Sequence, residues 1–202
     1  MPVHWHPRTA YSESMHAATD LPRRHWLTVD DYYRMAEVGI LDEEARVELI
    51  DGEIIDMAPP GSPHAGTVTY LTEVLMGAVA GRACVRVQNP VRLSKYSEPQ
   101  PDLAVLRRRD DFYRERHPHP DDVLLIVEVA ASSLRFDRKK KVPLYARHGI
   151  PEVWLVDLGG QRLVRYRAPQ RGSYTLVDEP NLTALELPAL ARIAVDLQRL
   201  FG

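Results

Sequence analysis

The sequence predicts an α/β protein of the α+β kind, with one central mixed β-sheet flanked by helices. Three observations carry this. Apolar, β-rich runs are interleaved with helical periodicity in the order helix, hairpin, helix, three strands, helix, strand and a β-rich tail. No internal repeat and no dividing linker is evident, so residues 26–202 are expected to form a single domain behind a flexible arm at 1–25. Apolar residues make up 45% of the 202, enough for a sizeable core and too many for wholesale disorder.

Residues 1–25 mix His, Pro, Ser, Thr and Arg without periodicity, and the His4/His6 pair within them reads as incidental. Thr28-Val29-Asp30-Asp31 offers a capping hydroxyl and first-turn acids, so a helix runs from there to Val38 and Gly39 ends it. Between Arg46 and Met57 two β-rich runs flank Asp51-Gly52, a hairpin signal. After a proline-rich break, Val68, Leu71, Val74, Leu75 and Val79 recur at helical spacing over His64–Ala80. Cys84–Leu93 reads as a strand kinked at Pro90. Further strands are expected at Pro101–Leu106, Val123–Ala130 and Glu152–Asp157, and a helix over Asp137–His148. A hairpin at Arg162–Arg167 and Ser173–Val177 follows, turning at Gly159-Gly160 before it, and a short helix at Asp196–Phe201 closes the chain.

Charge and composition narrow the function classes. With 26 basic and 28 acidic residues the formal charge is −2, which excludes a strongly basic nucleic-acid coat protein but leaves room for a local basic patch. The one cysteine, Cys84, permits no intrachain disulfide and no cysteine zinc site, and its apolar neighbours suggest an inert core thiol. No signal-peptide pattern and no apolar run of roughly 18 residues is seen. A soluble protein of the cytoplasm, without a membrane partner, is the expectation.

Two strands each carry one carboxylate where a buried strand should carry none: Asp102 at the mouth of the first, Glu128 near the end of the second. A lone charge in a core strand costs several kcal/mol unless paired, neutralised or metal-bound. With period-two alternation Leu124, Ile126 and Glu128 share one face, so the two acids converge if their strands are neighbours. Such a pair is a hard oxygen site suited to Mg²⁺, and the run Arg138-Lys139-Lys140-Lys141 follows closely. Acid, acid and lysine together suggest metal-assisted phosphodiester hydrolysis. The plainer alternative is that both acids are caps or salt-bridge partners.

An ordered set of motifs resembles the putative restriction endonuclease family of bacteria, within the PD-(D/E)XK nuclease superfamily. The set comprises Glu48-Leu49-Ile50-Asp51-Gly52-Glu53, Pro59-Pro60 with His64, Gln100-Pro101-Asp102-Leu103 and Val127-Glu128-Val129. It continues with Asp137-Arg138 through Lys141, Leu144-Tyr145-Ala146, Gly149-Ile150-Pro151 and Trp154-Leu155-Val156-Asp157. The resemblance covers roughly residues 28–201. It implies a restriction-endonuclease-like core, DNA as substrate, Mg²⁺ or Mn²⁺ as cofactor, and a homodimer that cuts two strands. It implies Asp102 as the motif aspartate, Glu128 as second metal ligand and the Val129 carbonyl as a third. The superfamily's usual lysine position is occupied by Ala130. The implied replacement is a lysine on the following helix, best matched by Lys141, with Lys139 and Lys140 as competitors and Pro143 disturbing the helix.

Glu48 matches the family's N-terminal glutamate and would bind metal or orient water; the alternative is a solvent-facing hairpin residue. His64 would contact phosphate, or merely cap its helix. Tyr145 would steer Lys141 or touch DNA, or pack in the core. The arginines of Arg107–Arg116 could meet a DNA backbone, but interleaved acids favour a solvated loop. Trp154 reads as core. The leading expectation is a Mg²⁺-dependent DNA endonuclease. Its rivals are an inactive nucleic-acid-binding module on the same fold, a small-molecule phosphodiesterase, and a structural protein. The direction of Lys141 discriminates between catalysis and binding.

Overall fold

The chain is described here by a computed structural model covering residues 24–42, 44–190 and 193–202. Most of the expected N-terminal arm, with His4 and His6, lies outside the described residues. Arg24, at its end, makes a 2.7 Å ion pair with Glu53.

Helix α1 (Val29–Glu37) opens with Thr28 and Asp31 in a reciprocal capping box, so two otherwise unpaired backbone N–H groups are satisfied. The hairpin β1 (Val47–Ile50) and β2 (Glu53–Asp56) turns at Asp51 and Gly52, whose φ values of 48° and 74° suit a two-residue turn of matching twist. A Cβ at Gly52 would stand 2.8 Å from the Trp26 Cβ, so the turn is closed to larger residues there. Helix α2 (Ser62–Val79) buries Val68, Leu71, Leu75 and Val79 as the periodicity requires.

The central sheet has six strands: β3 (Ala83–Val87), β4 (Leu103–Arg107), β5 (Val123–Ala130), β6 (Glu152–Asp157), β7 (Arg162–Gln170) and β8 (Ser173–Asp178). They lie in that order; β5 and β6 are parallel and all other pairs antiparallel, a mixed sheet as expected. The β5–β6 crossover contains α3 (Leu134–Phe136), a π-helical turn at Asp137–Lys141 and α4 (Val142–Arg147). One face of the sheet packs on α2 and the C-terminal segment, through Leu71, Leu75, Val127, Val129, Leu185 and Leu197. The other packs on α4 and the hairpin, through Ile126, Val142, Leu144, Tyr145, Val153 and Ile50.

Four expectations are corrected. β3 ends at Val87 rather than Leu93, because Gln88 takes φ 49° and turns the backbone out of the sheet. A bulge between β4 and β5 leaves Leu124 as the extra residue, so it packs on the face opposite Ile126. Asp196–Phe201 forms a turn, not a helix, and the tail instead contributes the two-residue strands β9 (Leu185–Glu186) and β10 (Ala194–Val195). Cys84 is half-buried rather than sealed in the core. Trp154 is fully buried, as expected, and its indole N–H donates to Glu152 at 2.7 Å.

Candidate active site

Strand register brings the two carboxylates together. Leu103 pairs with Val127, so Asp102, one residue before β4, stands beside the Glu128-Val129 end of β5. The Val129 N–H donates to Asp102 Oδ2 at 2.8 Å. His64 Nε2, in the first turn of α2, lies 3.1 Å from both Asp102 oxygens, and Gln88 Nε2 donates to Oδ1 at 3.2 Å. The left-handed backbone of Gln88 is what aims this amide at the aspartate, a strained conformation spent at the site. Burial would raise the Asp102 carboxyl, but hydrogen bonds from His64, the Val129 amide and Gln88 outweigh it and hold the group below the ordinary aspartate value. The same bond to Asp102 raises the His64 imidazole, against the opposing pull of burial.

Glu128 is held differently. Its Oε1 lies 3.1 Å from the Lys141 ammonium and accepts the Tyr145 hydroxyl at 2.5 Å. Lys141 also lies 3.1 Å from Glu48 Oε2, which accepts the Gln100 backbone N–H at 3.1 Å. Glu48, Glu128, Asp137 and Lys141 are 3%, 3%, 4% and 5% exposed. Glu48 points inward because alternation in β1 sets it on the face of Ile50 that packs towards α4, which removes the solvent-facing alternative. Burial pushes the Glu128 carboxyl up to about 8; Lys141 opposes this, and Asp137, Asp102 and Glu48 reinforce it. Burial disfavours the Lys141 charge, yet Glu128, Glu48 and Asp137 together keep its pKa above the ordinary lysine value.

The π-helical turn decides which lysine arrives. The Val142 N–H bonds to the Asp137 carbonyl, five residues back, and Pro143 has no N–H to donate to the preceding turn. The widened turn buries Asp137 and Lys141 and leaves Arg138, Lys139 and Lys140 exposed. Of the three candidate lysines, Lys141 is the buried one. Of the alternatives for Tyr145, the fold shows packing in the core: the ring is fully buried, its hydroxyl donates to Glu128, and burial first, then the adjacent acids, push its pKa well up. His64 does not cap its helix, whose N-cap is Gly61; its ring is turned to Asp102.

Asp102, Glu128, Glu48, Lys141 and His64 line one cavity of about 610 Å³, with Gln88, Gln100, Ser133 and Asp137. Asp137, which accepts from Ser133 Oγ at 2.5 Å, was not singled out by the sequence reading. Its signal was present: Asp137 and Lys141 are four apart at the two ends of a basic run, hence on one helix face. Among the described residues no three His, Cys, Asp or Glu side chains are gathered as a ready metal cage. Mg²⁺, however, needs only one or two carboxylates and completes its shell with water and phosphate oxygens. The donors Asp102 and Glu128 and the Val129 carbonyl are of the right hard-oxygen kind. One lysine among three buried carboxyls also leaves the Glu128 side short of positive charge. The residues present therefore fit a hard divalent cation.

The Uma2 family model, described as "Putative restriction endonuclease", matches residues 29–198. The chain belongs to this family. Its membership of a nuclease family, one whose members generally use divalent metal ions, thus agrees with the resemblance read from the motifs. A solved structure titled as a putative nuclease belonging to DUF820, from Anabaena variabilis ATCC 29413, shares the fold. It has a TM-score of 0.65 and 18% identity, covering 87% of this chain and 97% of that one. No curated protein matches the chain. Among the described residues no helix is long and apolar enough to cross a membrane.

Proposed function

We propose that this chain is a metal-dependent DNA endonuclease acting through Asp102, Glu128, Lys141 and Glu48. The observation that carries the reading is the buried Glu48–Lys141–Glu128 array opening on the same cavity as the Asp102–His64 pair. Asp102, Glu128 and the Val129 carbonyl would hold Mg²⁺ or Mn²⁺. When bound, the ion supplies Lewis-acid polarisation of a phosphate oxygen and a lowered pKa for its water.

The chain's own groups do the rest. The Val129 N–H, His64 and Gln88 keep Asp102 ionised and aimed into the cavity. Lys141, charged and held between two carboxylates, offers an N–H to a phosphate oxygen as negative charge develops on it. Glu48 positions that ammonium, and Tyr145 fixes the Glu128 rotamer. Because Lys141 faces Glu128, the feature that discriminates catalysis from passive binding supports catalysis. Cutting both strands of a duplex calls for two such sites, hence a homodimer.

The test is plasmid cleavage with Mg²⁺ or Mn²⁺, with an EDTA control and the Asp102→Ala and Glu128→Ala variants. Metal-dependent nicking that drops at least about 100-fold in both variants is the expected result. Absence of cleavage on supercoiled, relaxed and single-stranded DNA with either metal would remove the proposal.

A further inference from the structure

The cavity that holds the proposed site has two kinds of lining. Five of its lining residues are acids and two, Arg46 and Lys141, are permanent cations. The groups assigned to the chemistry are recessed: Glu48, Glu128 and Lys141 are at most 5% exposed. Beside them lie apolar side chains that the chemistry does not use. Glu48 stands opposite Ile55 in the β1–β2 ladder, and the Met57 N–H extends that ladder to the Arg46 carbonyl at 2.8 Å. Opposed residues of an antiparallel pair point to the same side, so the hairpin presents Ile55 and Met57 together with Glu48. Phe136, immediately before Asp137, reaches the same cavity from the β5–β6 crossover.

Ile55, Met57 and Phe136 are each half-buried, so each keeps apolar surface where it lines the cavity. Pro59 and Pro60 follow, both exposed, and neither has a backbone N–H to offer a phosphate. A cavity of about 610 Å³ is of the size that encloses a drug-sized molecule, the scale of a nucleotide rather than of a duplex. With acids outnumbering cations, it gives a polyanion little general attraction. Apolar surface beside a phosphodiester site is instead what a nucleobase packs on. Inside a duplex the base faces are covered by their neighbours, so that surface is reached only by a base out of the stack.

We infer that the cavity takes one unpaired nucleotide, its base against Ile55, Met57 and Phe136 and its phosphate turned towards Asp102 and Lys141, so that unpaired DNA is the preferred substrate. The inference rests on the proposed function for its phosphate chemistry and names the form of substrate for that same site. It fits a chain of net charge −2, because packing of bases supplies affinity where counterion release supplies little. In the proposed homodimer each site then takes one strand, and a duplex is cut where its bases are unpaired or extruded.

The experiment reads binding by fluorescence anisotropy in Ca²⁺ and cleavage in Mg²⁺. Its probes are a labelled single-stranded oligonucleotide, the same sequence as a duplex, and a single strand of equal length built from abasic sites. The single strand should bind and be cut at least about 10-fold better than the duplex, and the abasic strand should lose about 10-fold in affinity. Met57→Gln and Phe136→Leu, which change surface character at nearly constant volume, should each weaken single-strand binding by roughly 3- to 10-fold and leave abasic-strand binding unchanged. The exposed aromatic in the β4–β5 loop serves as control, and Phe112→Leu should change nothing. A melting curve shows that each variant folds, and Met57→Gln carries the test if Phe136→Leu does not. A duplex bound and cut as well as the single strand, or an abasic strand bound as well as a normal one, overturns the inference and leaves the proposed function standing. A wild type that binds single strands through their bases yet cuts no DNA overturns the proposed function and leaves the base seat. One that neither binds nor cuts overturns both.

Discussion

Asp102 and Glu128 are neighbouring carboxylates on adjacent strands of one buried site, yet they are held by different kinds of partner. Asp102 receives three hydrogen bonds from a backbone amide, a side-chain amide and an imidazole, and these lower its pKa against the effect of burial. Glu128 sits deeper, shares its one cation with Glu48, and faces two further acids, so its carboxyl is pushed up to about 8. The contrast shows that burial alone does not set the state of an acid. Donors directed at the oxygens keep Asp102 an anion, while a shared cation leaves Glu128 poised to exchange a proton for other positive charge.

The largest test of this contrast removes the shared cation. Lys141→Met should destabilise the fold by about 3–5 kcal/mol, since it strands buried carboxyls that lose their counter-charge. The urea unfolding midpoint reads this directly. A midpoint within error of the wild type would mean that Glu48 and Glu128 do not depend on Lys141.

The next test uses pH. Glu128 has a folded pKa of about 8 against a reference of 4.5, so the folded protein keeps a proton that the unfolded chain releases. Its contribution is whole below pH 4.5, shrinks as pH rises from there, and is lost once pH passes about 8. In EDTA, the wild type should therefore lose stability between about pH 5 and 8.5, and Glu128→Gln should flatten that decline by a few kcal/mol. Parallel curves for the two proteins would contradict the raised carboxyl.

The smallest effect belongs to the Asp102 side. The Val129 and Gln88 donors remain when His64→Ala removes the imidazole, so the loss should be about 1 kcal/mol. His64 is raised and Asp102 lowered, so the pair contributes fully between the two groups' reference values. It fades as pH falls through the folded pKa of Asp102 or rises through that of His64. Stability curves for wild type and His64→Ala should converge at alkaline pH. A gap that persists there would point to packing rather than to the charged hydrogen bond.

Much of the framework was legible beforehand because local physics dictates it. The apolar runs of β5 and β6 can only be buried strands, Asp51-Gly52 can only be a tight turn between β-rich segments, and the α2 periodicity names its own buried face. The misreadings cluster where non-local contacts decide. The bulge at Leu124 depends on the partner strand, and the C-terminal segment gives up a helical turn to lay Leu197 and Leu200 on the sheet.

For the site, the residue types and their order along the chain were the sequence's own: a carboxylate at each of two strand ends, a glutamate before the hairpin turn, and a basic run on the next helix. What tertiary structure alone decided was the pairing. Antiparallel register set Asp102 beside Glu128, burial of β1 turned Glu48 inward, and the π-helical turn before Pro143 buried Lys141 while leaving Lys139 and Lys140 exposed. A sequence records which charges exist. Which of them lose water, and beside which partner, depends on contacts between segments far apart in the chain, and that desolvation is what separates the buried Lys141 from the exposed Lys139 and Lys140 beside it.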